Sequence, residues 1–393
     1  MIIIGILFFI FGFVTWLNGS LIPFLKLILN LSDFEALFVT FSFYIAYIVM
    51  ALPMSYLLNR YGYKNGMMIG LAIMSVGSLL FIPAALYATY SLFLTALFTL
   101  GSGLTILQTA SNPFVVALGD KKSAAKRISI MGIINKTAGV LVPLLFTALI
   151  FSDINSFDTS HLTQLDKDAL ASRLITPYLI MAITLFGLIG LVKFSNLKEI
   201  NFQDDNADAK TNILAYPQVI LGAIALFFYV GIEVIAGDTI GLYGASLGLE
   251  NYTMFTSITM VFMVIGYTLG IFLIPKFLSQ EKALLLSALF GILFLVGVLS
   301  TDGVTSLFFV ATLGLSNALI WPTIWPLALD GLGKHTAQGS AMLIMGIAGG
   351  AVLPLLFGKI ADMSSIEYGY TLGFVSYGFI LYYALSAHKK RSW

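Results

Sequence analysis

Apolar residues along this chain come in long runs broken by short polar clusters. A membrane-spanning helix needs about 20 mainly apolar residues. Twelve runs meet that length: 2–29, 34–58, 66–88, 91–118, 128–152, 176–196, 214–244, 252–276, 283–300, 304–329, 338–361 and 368–387. Each is predicted helical, because backbone exposed to lipid has to satisfy its own hydrogen bonds. The first run has no basic leader and continues through a polar break at Asn18-Gly19-Ser20, so it is predicted to be a span and not a cleaved signal.

The longest polar stretch in the interior of the chain is 195–212, with Asp204, Asp205 and Asp208. Six runs precede it and six follow. The two halves echo one another. Val142-Pro143-Leu144-Leu145-Phe146 in the fifth run matches Leu353-Pro354-Leu355-Leu356-Phe357 in the eleventh, 211 residues on. Pro113 and Pro322 differ by 209, and Arg60 and Lys276 by 216. The pattern predicts an all-α membrane protein of twelve helices in two pseudo-symmetric six-helix bundles. The expected boundaries are 1–196, a linker at 197–213, and 214–393. A substrate held between such halves near the midplane is exposed to each side in turn as they rock.

Composition supports this class. The 393 residues are 59% hydrophobic and 10% charged, against about 45–50% and about 25% in ordinary soluble domains. Lys+Arg is 20 and Asp+Glu is 19, so there is no basic field for a nucleic acid. Without cysteine, disulfides, thiolate metal sites and cysteine nucleophiles are excluded. With the N-terminus inside, fifteen Lys/Arg fall on the inner loops and four outside, with Lys136 in a helix. That bias predicts both termini cytoplasmic.

A charge at a helix centre costs about 2.5–3.5 kcal/mol on insertion scales, so it needs a partner or a wet cavity. The candidates are Lys136 in the fifth helix and Glu233 and Asp238 in the seventh. Neutral polar candidates are Asn18 (first helix), Gln108 and Asn112 (fourth), Asn135 (fifth) and Asn317 (tenth). Gln108 and Asn112 are four apart and share a face, as do Asn317 and Trp321. Tyr44 and Tyr47 lie three apart in the second helix, and Trp325 follows Trp321 by four. Any one of these amides could be interhelical glue, worth about 0.6–2 kcal/mol. Most membrane aromatics are packing or interfacial belt. An aromatic ring beside amide and carboxylate groups suits a sugar, whose C–H faces lie on the ring while its hydroxyls bond the polar groups.

Catalytic signatures fail on context. Gly244-Ala245-Ser246-Leu247-Gly248 fits a nucleophile elbow by letters but follows no strand. Gly358-Lys359 lacks the Ser/Thr of a phosphate loop. An enzyme is therefore not expected, nor a cofactor, and any uphill transport must draw on an ion gradient.

Three motifs carry a family resemblance: Trp16-Leu17-Asn18-Gly19-Ser20-Leu21-Ile22-Pro23, Leu107-Gln108-Thr109-Ala110-Ser111-Asn112-Pro113-Phe114-Val115 and Trp321-Pro322-Thr323-Ile324. Together they resemble the fucose–galactose–glucose symporter family of the major facilitator superfamily. The runs Ser123 to Gly132 and Phe228 to Thr239 look like its bacterial glucose/galactose transporter branch. The resemblance implies hexose import across a bacterial inner membrane by alternating access, with a sugar and a coupling cation (Na⁺ or H⁺) as partners; a monomer in the bilayer is expected because the substrate path lies within one chain. It makes Asn135 a sugar ligand. It also exposes a departure. Where fucose members have an Asp in the first helix and a Glu in the fourth, this chain has Gly19 and Gln108, which cannot titrate. Glu233 stands where the fucose member has an amide, and Lys136 has no counterpart there. Three routes stay open: Glu233 or Asp238 takes a proton, either carboxylate helps hold Na⁺, or Lys136 supplies a fixed charge in an uncoupled uniporter. A carrier for another small polar solute is a further alternative.

Overall fold

The computed structural model describes residues 2–117, 124–150, 163–195, 197, 213–274, 276–332 and 336–392. The described residues are helical throughout, apart from turns, and hold no strand. The first half comprises α1 (Ile2–Trp16), α2 (Asn18–Leu29), α3 (Asp33–Ala36), α4 (Phe38–Tyr61), α5 (Tyr63–Leu86), α6 (Tyr90–Ala117), α7 (Ala124–Ile150), α8 (Gln164–Ser172) and α9 (Ile175–Lys193). The second comprises α10 (Pro217–Asp238), α11 (Ile240–Ser246), α12 (Phe255–Leu273), α13 (Gln280–Ser300), α14 (Gly303–Asn317), α15 (Ile320–Leu329), α16 (Thr336–Met345), α17 (Gly349–Met363), α18 (Ile366–Gly369) and α19 (Leu372–Leu385). Nearly all of the expected linker, 198–212, lies outside the described residues.

Among the described residues, eleven helical stretches are long and apolar enough to cross a membrane. The twelfth expected span, 368–387, is the 14-residue α19, with α18 before it and a 3₁₀ turn, Ala387–Lys389, after it. That turn is pinned to the bundle. Arg391 Nη2 reaches Asp330 Oδ2 at 2.7 Å, and buried His388 lies between the Tyr383 carbonyl (2.8 Å) and Glu281 (3.3 Å).

Local chemistry sets the ends of the helices. Ser32 and Glu35 form a reciprocal capping box for α3, as Thr163 and Asp166 do for α8. Pro217 opens α10, where a missing N–H costs nothing. Gly62, at φ 81°, makes the turn from α4 into α5, a conformation open to glycine at no steric cost.

The packing repeats between halves. Within the first half α1 packs on α7, α4 on α6, α5 on α6, and α5 on α9. The second half shows the same set: α10 on α17, α12 on α14, α13 on α14, and α13 on α19. The halves meet through two equivalent pairs, α7 against α12 and α4 against α17. The sequence echo thus corresponds to a structural duplication.

Close approach needs glycine at two places. A Cβ on Gly12 of α1 would lie 2.0 Å from the Asn135 carbonyl oxygen of α7. A Cβ on Gly349 of α17 would lie 1.7 Å from the Phe227 carbonyl oxygen of α10. These are corresponding contacts, the first span on the fifth and the seventh on the eleventh.

Among the described residues, the eleventh span is interrupted by a 3₁₀ turn, Gly346–Ala348, and the first, seventh and tenth spans by short breaks. The breaks fall at Leu17, between α1 and α2; at Thr239, between α10 and α11; and at Ala318–Leu319, between α14 and α15. Pro322 accounts for the last, since its ring crowds the carbonyl four residues back, at Ala318. Beside the breaks stand Asn18, Asp238 and Asn317, all among the polar residues expected to matter.

Candidate functional site

Lys136 and Glu233 meet at the boundary between the halves. Lys136 Nζ lies 2.8 Å from Glu233 Oε1. The Tyr229 hydroxyl donates to the same oxygen at 2.7 Å. Tyr229 and Glu233 are four apart on α10, so they share a helix face. The Lys136 ammonium also sits over the Trp16 ring, 4.1 Å from its centroid, where the negative π face attracts it. Both charged side chains are about nine-tenths buried. A buried pair offsets its desolvation only with good geometry and further hydrogen bonds. Tyr229 and Trp16 supply these.

The network continues on both sides. Trp321 of α15 lies 6.2 Å from the Tyr229 ring, and Trp325 lies 5.5 Å beyond it. On the other side the Trp16 indole N–H points at Asn135 Oδ1 (3.4 Å), and Asn135 Nδ2 donates to the Phe8 carbonyl at 3.3 Å. One chain of groups therefore runs Trp321, Tyr229, Glu233, Lys136, Trp16, Asn135. It crosses from the tenth span to the first.

Lys136 lies deeper than expected. A helix starting at 128, the expected bound, puts it eight residues, just over two turns, in. The helix begins at Ala124, so Lys136 is twelve residues, about 18 Å, along it. That is the depth at which Glu233 can be met.

The remaining candidates divide. Gln108 lies beside the Tyr47 hydroxyl, and the Tyr47 ring stacks with Tyr44 at 6.1 Å between centroids. Tyr44 packs against Gly350 of α17 and lies within electrostatic range of Asp238 and Glu233. Asn317 Oδ1 accepts from the Tyr377 hydroxyl at 2.7 Å, inside the second half. Asn18 Nδ2, Asn317 Nδ2 and both Asp238 carboxylate oxygens are buried with no hydrogen-bond partner among the described residues. Asn112 lies in α6, but its side chain is outside what is described. Gln108, Asn135, Trp321 and Trp325 are half-buried and keep some accessible surface. No group of three or more His, Cys, Asp or Glu able to hold a metal occurs among the described residues.

Sequence reasoning did not single out Trp16, Tyr229 or Tyr377. The four-residue spacing of Tyr229 and Glu233 is a readable signal. The contacts of Trp16 and Tyr377 are made across helices and leave none.

A duplicated helical bundle with an ionic and aromatic network at its centre defines a multi-pass membrane transporter. The chain belongs to the Major Facilitator Superfamily, whose family model matches residues 4–351. This is a family of transporters, not enzymes. The chain is 35% identical over 397 residues to a "Glucose/galactose transporter" of Brucella abortus, covering 98% of this chain and 93% of that protein. It is 29% identical over 404 residues to an "L-fucose-proton symporter" of Haemophilus influenzae, covering 97% and 92%. Among solved structures, the transporter FucP in an outward conformation superposes with a TM-score of 0.75 at 26% identity, covering 97% of both chains. A D-xylose-proton symporter, at 15% identity and TM-score 0.71, has the same fold.

Proposed function

We propose that this protein imports a hexose of the glucose/galactose type across the bacterial inner membrane by alternating access, coupled to a cation. Both termini lie in the cytoplasm, the working unit is a monomer in the bilayer, and the bodies that rock are 1–196 and 214–393 with 197–213 as linker. The observation that carries the reading is the interhalf network around Lys136 and Glu233, flanked by Trp321 and Asn135. Indole rings with amides and carboxylates in reach can hold the C–H face and the hydroxyls of one pyranose. Asn18, Tyr44, Gln108, Asn112, Asn135, Lys136, Glu233, Asn317 and Trp321 are the proposed sugar-site residues. Lys136, Glu233 and Asp238 are the proposed coupling residues. The relatives' names, glucose/galactose transporter and L-fucose-proton symporter, support both the substrate class and the coupling.

The test is uptake of labelled glucose into proteoliposomes, with galactose, fucose, N-acetylglucosamine and small organic acids as competitors. Imposed pH and Na⁺ gradients are compared. Competition by galactose and gradient-driven accumulation are expected. Competition by acids but not hexoses would sink the substrate class. Counterflow with no response to either gradient would favour uniport. Uniport has one observation in its favour: the fixed ammonium of Lys136 already neutralises Glu233 within the chain.

A further inference from the structure

We infer that Asp238 is the proton-carrying carboxylate of this transporter, and that Glu233 is not. The inference rests on the proposed coupled sugar import and narrows it to one residue and one ion.

Among the described residues, the centre of the bundle holds one cation and two carboxylates. Lys136 is paired with Glu233 at 2.8 Å, and Tyr229 bonds the same carboxylate. Glu233 is therefore a satisfied anion. Asp238 is fully buried, and neither of its oxygens has a hydrogen-bond partner among the described residues. The groups facing it with charge or titratable character are Glu233 on its own helix, Lys136 of α7 and Tyr44 of α4. Glu233 repels a second negative charge, and Lys136 makes its ion pair with Glu233. An unpaired buried carboxylate is far more costly than a neutral acid in the same place. This arrangement therefore holds Asp238 as the neutral acid, with a proton on one carboxyl oxygen.

The place of Asp238 suits a proton better than Na⁺. A sodium ion needs several oxygens. The two backbone carbonyls before Asp238 are already engaged: Gly237 by the Thr256 hydroxyl at 2.7 Å and Ala236 by the Thr259 hydroxyl at 3.2 Å. A proton needs one oxygen and access to water. Asp238 ends α10 at the break in the seventh span, five residues (about 7.5 Å) beyond Glu233 toward the end away from the termini. There α11 packs on α2, and Gly19 of α2 faces Gly237 and Thr256. Parting of α2 from α11 admits water to Asp238. The carboxylate then binds a proton from that side, closure carries it as the neutral acid, and it is released to water on the other side. One O–H bond forms and one breaks per cycle.

The experiment uses the full-length protein in proteoliposomes, comparing the unmodified chain with Asp238→Asn, Asp238→Glu and Glu233→Gln. A pH gradient of about one unit sustains about tenfold sugar accumulation at one proton per sugar. Asp238→Asn is expected to lose it, giving a ratio near one and no sugar-induced proton uptake, while counterflow continues at a reduced rate. Asp238→Glu is expected to restore part of the accumulation, and Glu233→Gln to transport sugar more slowly while its sugar-induced proton uptake persists. Accumulation on a pH gradient by Asp238→Asn overturns the inference. So does accumulation driven by Na⁺ alone at constant pH, or loss of counterflow in Asp238→Asn with no rescue by Glu. Absence of hexose counterflow in the unmodified protein overturns the sugar reading, and this inference with it.

Discussion

Lys136 and Glu233 stand 97 positions apart in the chain and 2.8 Å apart in space, one on each half of the bundle. A contact of this kind is sensitive to any motion of one half against the other. Removing one member leaves the other buried and unpaired, at a cost of about 3–5 kcal/mol. Lys136→Met and Glu233→Gln are each expected to lower the thermal midpoint of the purified protein. The double variant is expected to lose less than the sum, since contacting residues couple by about 0.5–3 kcal/mol. Strictly additive losses would show that the two side chains do not depend on each other.

Tyr229 holds the same carboxylate through its hydroxyl. Tyr229→Phe keeps the ring against Trp321 and removes one hydrogen bond to a charged group. Such bonds are worth about 1.5–3 kcal/mol. A fall in stability of that size is expected, with Glu233 still present to pair with Lys136. Stability unchanged within about 0.5 kcal/mol would mean that the bond contributes nothing net.

Trp321 is the proposed sugar platform. The chain has four tryptophans: Trp16, Trp321, Trp325 and Trp393. Glucose is expected to quench the intrinsic fluorescence, with most of the change lost in Trp321→Phe. Aromatic contacts of this type contribute about 0.5–1.5 kcal/mol, so Trp321→Ala should weaken sugar binding roughly twofold to twelvefold. Unaltered affinity and quenching in Trp321→Ala would remove the ring from the site.

The helices were legible in the sequence because apolar length alone predicts a span, and the duplication because Val142-Pro143 and Leu353-Pro354 recur in register. The charged members of the central network were legible too, since a buried Lys or Glu stands out against apolar neighbours. Their pairing was not. Nothing in the run around Lys136 says that its helix starts at Ala124 or that it meets Glu233 from the other half. Trp16 and Tyr377 were hidden for a related reason. An aromatic in an apolar span reads as packing until the opposing helix is placed. The breaks at Thr239 and at Ala318–Leu319 were also unread, although Asn18-Gly19-Ser20 marked the first and Pro322 hinted at the last.

Gly12 and Gly349 make the tightest backbone approaches of the two halves, with a Cβ at 2.0 and 1.7 Å from a carbonyl oxygen on the partner helix. A backbone atom cannot swing aside as a side chain tip can. Gly12→Ala should therefore push α1 from α7 and shift both Trp16 and Asn135. Overpacking costs about 1–3 kcal/mol or more. A lower thermal midpoint is expected, with a second loss of similar size in Gly349→Ala. By contrast Gly187 has nothing within 4 Å of a built Cβ. Gly187→Ala should leave the midpoint unchanged or raise it, because alanine favours helix by about 1 kcal/mol. Equal effects at Gly12 and Gly187 would refute the close-contact account.

At the end of the bundle away from the termini, Asp362 of α17 binds α3 across the two halves. Its two carboxylate oxygens accept the backbone N–H groups of Asp33 and Phe34, at 3.0 and 3.1 Å. Those N–H groups open α3 and have no partner within the helix. Lys26 pairs with Asp33 alongside, and a Cβ on Gly358, one turn back from Asp362, would meet the Phe34 Cα at 2.9 Å. Deeper in, the Ser20 hydroxyl donates to the Thr253 carbonyl at 2.9 Å, joining α2 to the loop before α12. Asp362 thus makes for α3 the contact that a capping side chain makes, but from the opposite half. Loss of a capping side chain costs about 0.5–2 kcal/mol, so Asp362→Ala should shift the closed–open balance roughly twofold to thirtyfold toward opening at this end. The chain has no cysteine of its own, so Ser20→Cys serves as reporter in both backgrounds. Its labelling by a membrane-impermeant maleimide should quicken by that factor when Asp362 is replaced. Equal labelling rates with and without Asp362 would mean that the α17–α3 contact is carried along by closure and does not hold it.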